Sequence, residues 1–180
     1  MKRVLRWAGW TFAGLVGLVL VAVAIGLFLP ESHTATATRV VEGTAFDVWA
    51  AMTDVERFTA WRPGVDQAER LPDRDGLPVW RETGPTGSMT LQVTEFDPPR
   101  RLITRIADEG LPFGGTWTYE LEATESRTRV TLTEDGEIYN PFFRFVSRYV
   151  MGYDATMNQY LDGLEARMAD LGPGEEGGTS

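Results

Sequence analysis

The sequence predicts an α+β domain, a curved antiparallel sheet closing around one long C-terminal helix, preceded by a single transmembrane helix. Three observations carry that class. Over residues 140–171, Phe142, Val146, Tyr149, Tyr153, Met157, Tyr160, Leu164, Met168 and Leu171 recur at steps of three or four, so they share one helical face. The hundred residues before it break into short apolar runs separated by turn signals, the pattern of a meander. Residues 7–29 are a charge-free hydrophobic run of 23 residues, about 34 Å as a helix against a hydrocarbon core of roughly 30 Å.

The hydrophobic run is flanked by Lys2, Arg3 and Arg6 on one side and by Glu31 on the other. That bias places the N-terminus in the cytoplasm and the domain outside it. Residues 1–6 read as a cytoplasmic basic tip, 7–29 as a single-pass anchor whose partner is the lipid bilayer, and 33–171 as the folded domain. Residues 172–180 read as a disordered acidic tail. A cleavable signal peptide competes, because Ala35-Thr36-Ala37 has the form of a cleavage site. The run exceeds an h-region of ~7–15 residues, and cutting there would remove part of the first strand. Gly9, Ala13 and Gly17 lie four apart, a spacing common in membrane helices.

The segment "SHTATATRVVE" (32–42) alternates and is rich in β-branched residues, so it reads as the first strand. Thr44 with Asp47 and Thr53 with Glu56 form two capping-box patterns, predicting short helices over 45–52 and 54–59 that carry Phe46, Val48, Trp49, Met52 and Phe58 inward. Pro63 and Gly64 end that region. Strands follow over 66–71, 79–83, 88–96, 101–107, 116–123 and 129–138. Asn140 caps the last helix, Pro141 occupies its first turn, and Gly172-Pro173-Gly174 stops it.

Composition narrows the function. The chain of 180 residues carries a net charge of −9, and residues 31–180 hold 14 arginines against 26 carboxylates, a net of −12. Such a domain repels phosphate backbones, which argues against nucleic acid as a partner. No cysteine is present, so there is no disulfide, thiolate nucleophile or thiolate metal site. One histidine, His33, cannot build a His-based metal site, and its place next to the hydrophobic run predicts a wet interfacial position. Asp73-Arg74-Asp75-Gly76 lacks EF-hand spacing and reads as a hairpin turn. "GPTGS" and "PFGG" lack the lysine of a phosphate loop, and no serine sits in a G-x-S-x-G context. No cofactor is implied.

The segments "VWAAMTDVERFTAWRPGV" (48–65), "FDPPRRLITRI" (96–106), "GGTWTYELEATESRTRVTLTEDGE" (114–137) and the aromatic final helix stand in an order with a known counterpart. Over residues 36–171 the chain resembles the START-like or SRPBCC superfamily, in its polyketide cyclase/dehydrase-like branch. The resemblance implies a helix-grip of order β-α-α-β6-α, with a deep cavity between sheet and final helix for an apolar ligand. It does not fix one activity, since the superfamily holds lipid carriers, receptors and aromatase/cyclases.

Strand parity offers two candidate acid–base groups. Glu134 follows Val130 and Leu132 on an inward face, and Glu95 follows Met89, Leu91 and Val93; Arg105 is a counter-ion only if Ile103, rather than Leu102, faces in. The expected cavity lining is Trp61, Trp80, Met89, Leu91, Trp117, Tyr119, Leu132, Tyr149, Tyr153 and Met157, broad or flexible side chains suited to an apolar guest. The expectation is a membrane-anchored domain that binds a hydrophobic or lipid-like small molecule without catalysis. The alternatives are a cyclase/dehydratase using a cavity carboxylate, and a scaffolding module with a collapsed cavity.

Overall fold

In the computed structural model of the chain the described residues are 2–85 and 87–172, with side chains described at Trp7 and from Trp10 onward. Helix α1 (Lys2–Gly26) leads into β1 (Ser32–Glu42), α2 (Ala45–Thr53), a 3₁₀ turn (Val55–Arg57) and α3 (Phe58–Trp61). Six strands follow: β2 (Gln67–Arg74), β3 (Leu77–Gly84), β4 (Gly87–Asp97), β5 (Arg101–Ile106), β6 (Phe113–Thr124) and β7 (Arg127–Ile138). The chain closes with α4 (Pro141–Val146), a π-helical turn (Ser147–Met151) and α5 (Ala155–Leu171). The tail expected over 172–180 lies, beyond Gly172, outside the described residues.

All seven strands form one antiparallel sheet in the order β1-β7-β6-β5-β4-β3-β2. This is a helix-grip. Residues paired across strands share a face, so Ala37, Leu132, Tyr119 and Leu102 form one inward row, and Ala35, Glu134, Trp117, Thr104 and Val93 form the next. The inward face is covered by α2, α3 and α5, whose Val48, Trp49, Met52, Phe58, Trp61, Met157, Tyr160, Leu161, Leu164 and Met168 are buried against it.

Local chemistry explains where the helices start. Thr44 Oγ1 accepts from the Asp47 amide at 3.3 Å while Asp47 Oδ2 accepts from the Thr44 amide at 3.1 Å, so the first capping box is formed. The second is not. The Thr53 hydroxyl donates back to the Trp49 carbonyl at 2.8 Å, and the chain makes a 3₁₀ turn before four residues of α3. Phe46, expected inward, is exposed.

The single helix expected over 140–171 is broken. Asn140 Oδ1 caps α4 as predicted, accepting from Phe142 and Phe143 amides at 2.9 and 3.4 Å. Gly152 then takes φ +84° and ψ 149°, a conformation open to glycine alone, and the axis restarts at Ala155. The apolar spacing runs straight across this break, which is why it reads as one helix.

Helix α1 begins earlier and ends earlier than the interval 7–29, with residues 27–29 forming a turn. Among the described residues no helix is long and apolar enough to cross a membrane. Helix α1 packs on α4: Ala22 and Gly26 are covered, and a Cβ on Gly26 would lie 1.8 Å from the Pro141 carbonyl oxygen. Arg144, 6 % exposed, fixes the junction. It donates to the carbonyls of Ile138 at 2.7 Å and Tyr139 at 3.0 Å and pairs with the Glu31 carboxylate.

Candidate ligand and acid–base site

Trp61, Trp80, Leu91, Tyr119, Leu132 and Met157 are all buried in one core, with Met89 and Trp117 packed half-buried against it. Two expected members do not join them. Tyr149 is 61 % exposed, because the π-turn points it away from the sheet, and Tyr153 sits in the helix break, stacked on His33 at 4.1 Å and 16°. The layer between α5 and the sheet is filled: Met157, Leu161, Leu164 and Leu132 are solvent-free, and Tyr160 reaches between Trp61, Trp117 and Tyr119 with ring centroids 5.2, 6.1 and 5.6 Å away.

Inside this layer lies a polar group that sequence reasoning missed. Arg62, following α3, pairs with Glu82 of β3, and Trp80 Nε1 donates to the same Glu82 oxygen at 2.7 Å. The guanidinium also lies over the rings of Phe58 at 4.7 Å and Tyr160 at 5.0 Å. Burial opposes its charge, but Glu82, Tyr119 and Tyr160 outweigh burial and hold it protonated. Burial pushes the Tyr119 hydroxyl up to about 12 and that of Tyr160 well above its ordinary value. The available signal was parity: Glu82 stands two residues beyond inward Trp80 on the same strand.

Among the described residues two clefts stand out beside the grip, and neither lies between α5 and the sheet. One, of about 220 Å³, opens under α2 and is lined by Met52, Val55, Trp80, Val93, Phe96 and Leu102, with Thr53, Pro78 and Arg70 at its margin. Most of its lining side chains are apolar, with Thr53 and Arg70 the polar members. The other, of about 530 Å³, lies on the outer face beneath residues 108–111 and is lined by Arg105, Asp108, Glu109, Phe113, Asp135, Glu137 and Tyr139. It is polar, and Tyr139 and Thr34 donate to its carboxylates Glu137 and Asp135 at 2.6 and 2.7 Å. Among the described residues no group of three His, Asp or Glu side chains could hold a metal ion.

The two candidate carboxylates part company. Glu95 faces out, because the register shifts between Val93 and Glu95, and this bulge turns the side chain away from the core. It is 46 % exposed and pairs with Arg101 at 3.1 Å. Leu102 and Thr104 are the buried members of β5, so Arg105 also faces out. Glu134 faces in. Its side chain is 21 % exposed, and His33 Nε2 stands 3.8 Å away with only 10 % of its own side chain exposed. Burial raises the Glu134 pKa, with a hydrogen bond from Trp117 opposing; burial lowers that of His33, with Asp135 opposing. His33 is therefore half-buried under Tyr153, not wet at an interface. The pairing of β1 with β7 brings it there, a long-range register that local pattern does not encode.

Residues 32–169 match the sequence profile of the family described as polyketide cyclase / dehydrase and lipid transport. The chain belongs to this family. Its fold is shared at low identity by several solved structures. The Zhui aromatase/cyclase from Streptomyces sp. R1128 superposes with a TM-score of 0.67 at 15% identity, covering 82% of this chain and 99% of that one. A START superfamily protein from Mycobacterium smegmatis gives 0.61 at 17%, covering 77% and 99%. A protein from Thermus thermophilus gives 0.66 at 18%, covering 78% and 99%. No curated protein sequence matches the chain. The polyketide cyclase/dehydrase match starts at β1 and ends in α5, so α1 lies outside it.

Proposed function

We propose that this family member is a membrane-tethered helix-grip protein that binds a small apolar molecule and performs no reaction on it. The observation that carries this is the cleft of about 220 Å³ under α2, walled by Met52, Val55, Trp80, Val93, Phe96 and Leu102. An apolar cavity of about 150 Å³ takes benzene, and pockets for drug-sized ligands begin near ~300 Å³. The space therefore fits one ring with short substituents or the end of an acyl chain, not a whole lipid. Its class agrees with the lipid-transport part of the family description. The reading of a tether is supported by the 23 uncharged residues of 7–29 behind Lys2, Arg3 and Arg6, a charge bias that favours an extracytoplasmic domain. A tether also keeps the cleft at a high local concentration of membrane-partitioned guests.

The Met52 side chain lines the cleft, so its methyl resonance reports occupancy directly. Adding fluorobenzene to the detergent-solubilised full chain is expected to shift that resonance saturably, and Val93→Phe, which fills the cleft, is expected to abolish the shift. An unmoved resonance in the native chain defeats the binding reading and leaves the collapsed-cavity scaffold in its place.

A second reading, cyclase/dehydratase-type acid–base chemistry, is favoured by one observation, the inward Glu134 beside His33. Glu134 has a folded-state pKa above the unfolded 4.5, so its contribution to stability is complete below pH 4.5 and is lost as pH rises through the folded value. His33 runs the other way: its contribution is complete above pH 6.5 and is lost as pH falls through its lower folded value. Glu134→Gln is expected to remove the first loss, raising stability at pH 7 relative to pH 4 when melting is compared across that range. An unchanged pH profile would remove the basis for a proton-holding carboxyl.

A further inference from the structure

Helix α4 and the π-turn leave a hydrophobic face open. Tyr149, Val150 and Met151 are each at least 60 % exposed, and Phe143 on α4 is exposed beside them. The surrounding sequence is unlike the rest of the domain: residues 138–153 contain two arginines and no carboxylate, within a domain of 26 carboxylates. The face is also continuous with α1. Pro141, the first residue of α4, lies against Gly26, the last of α1, and Ala22 one turn back is covered as well, so α4 runs back along α1 and shares its surroundings.

Resting on the tether reading, we propose that α4 and the π-turn insert into the extracytoplasmic leaflet beside α1, and that the lipid acyl region is what covers Phe143, Tyr149, Val150 and Met151. The two cations do not oppose this. Arg144 is buried and satisfied by backbone carbonyls and Glu31. Arg148 leans over the Tyr153 ring at 5.9 Å, toward the domain, from where its long arm reaches the headgroup level.

The chain has no cysteine, so single-cysteine variants of the full chain report position without background. Val150→Cys, Leu20→Cys and Arg100→Cys, each carrying the fluorophore NBD, are reconstituted one chain per nanodisc of phosphatidylcholine and phosphatidylglycerol and exposed to doxyl-labelled phospholipid. Leu20 and Val150 are each expected to lose emission through contact with the acyl region, and Arg100 in the far turn none. Quenching at Leu20 without quenching at Val150 overturns the insertion and leaves the tether standing. Quenching at Val150 alone supports insertion and sinks the tether, and silence at both sinks both. A Val150 label shielded from aqueous iodide yet untouched by doxyl lipid reveals a protein cover and overturns the proposal.

Discussion

Arg62 and Glu82 put a full ion pair into a layer otherwise built of aromatic and aliphatic side chains. Removing one partner leaves the other charged and buried, which costs about 3–5 kcal/mol, whereas removing both charges leaves a core near its original stability. Arg62→Met alone is therefore expected to lose about that amount in chemical denaturation. Adding Glu82→Gln, which still accepts from Trp80 Nε1, is expected to recover most of it. Equal losses in single and double variants would show that the pair is not coupled. Residue-level legibility followed the strands. Glu134 was legible because β7 keeps an unbroken register with both neighbours, and Glu95 was not because an inserted residue in β4 reverses the parity beyond it. His33 was misjudged because its neighbours come from residues about a hundred positions away.

Among the elements, the caps were read correctly where a short polar side chain reaches its own amides, as at Thr44 and Asn140. The final helix was misread because apolar spacing says which face is covered and nothing about whether the axis is continuous. Gly152 is the discriminating residue. A Cβ there would face Asp154 Oδ1 at 2.9 Å and a φ of +84°, so Gly152→Ala is expected to destabilise the full chain by about 1–3 kcal/mol. Thermal melting of the variant in detergent checks it. A melt identical to the native one would mean that the break is set elsewhere.

For the whole molecule, the seven strands and the antiparallel meander of β2 to β7 followed from turn chemistry and alternation, which act over a few residues, whereas the pairing of β1 with β7 did not. The ligand space did not follow. Whether the grip is hollow depends on how far Tyr160, Met157 and Trp117 extend toward one another, and the interior under α5 is closed while the opening lies under α2. Volume is a property of packing that no single stretch of sequence carries.

The sheet order also sets a timetable for synthesis. Strand β1 is made first, yet its one ladder partner is β7, so Ser32 must wait for Glu137, 105 positions later. At ~5–20 residues per second that interval lasts on the order of ten seconds. During it Thr34, Thr36 and Thr38 stand on an unpaired edge, and their hydroxyls, which later meet Asp135, Thr133 and Thr131, keep that edge wetted until the closing strand arrives.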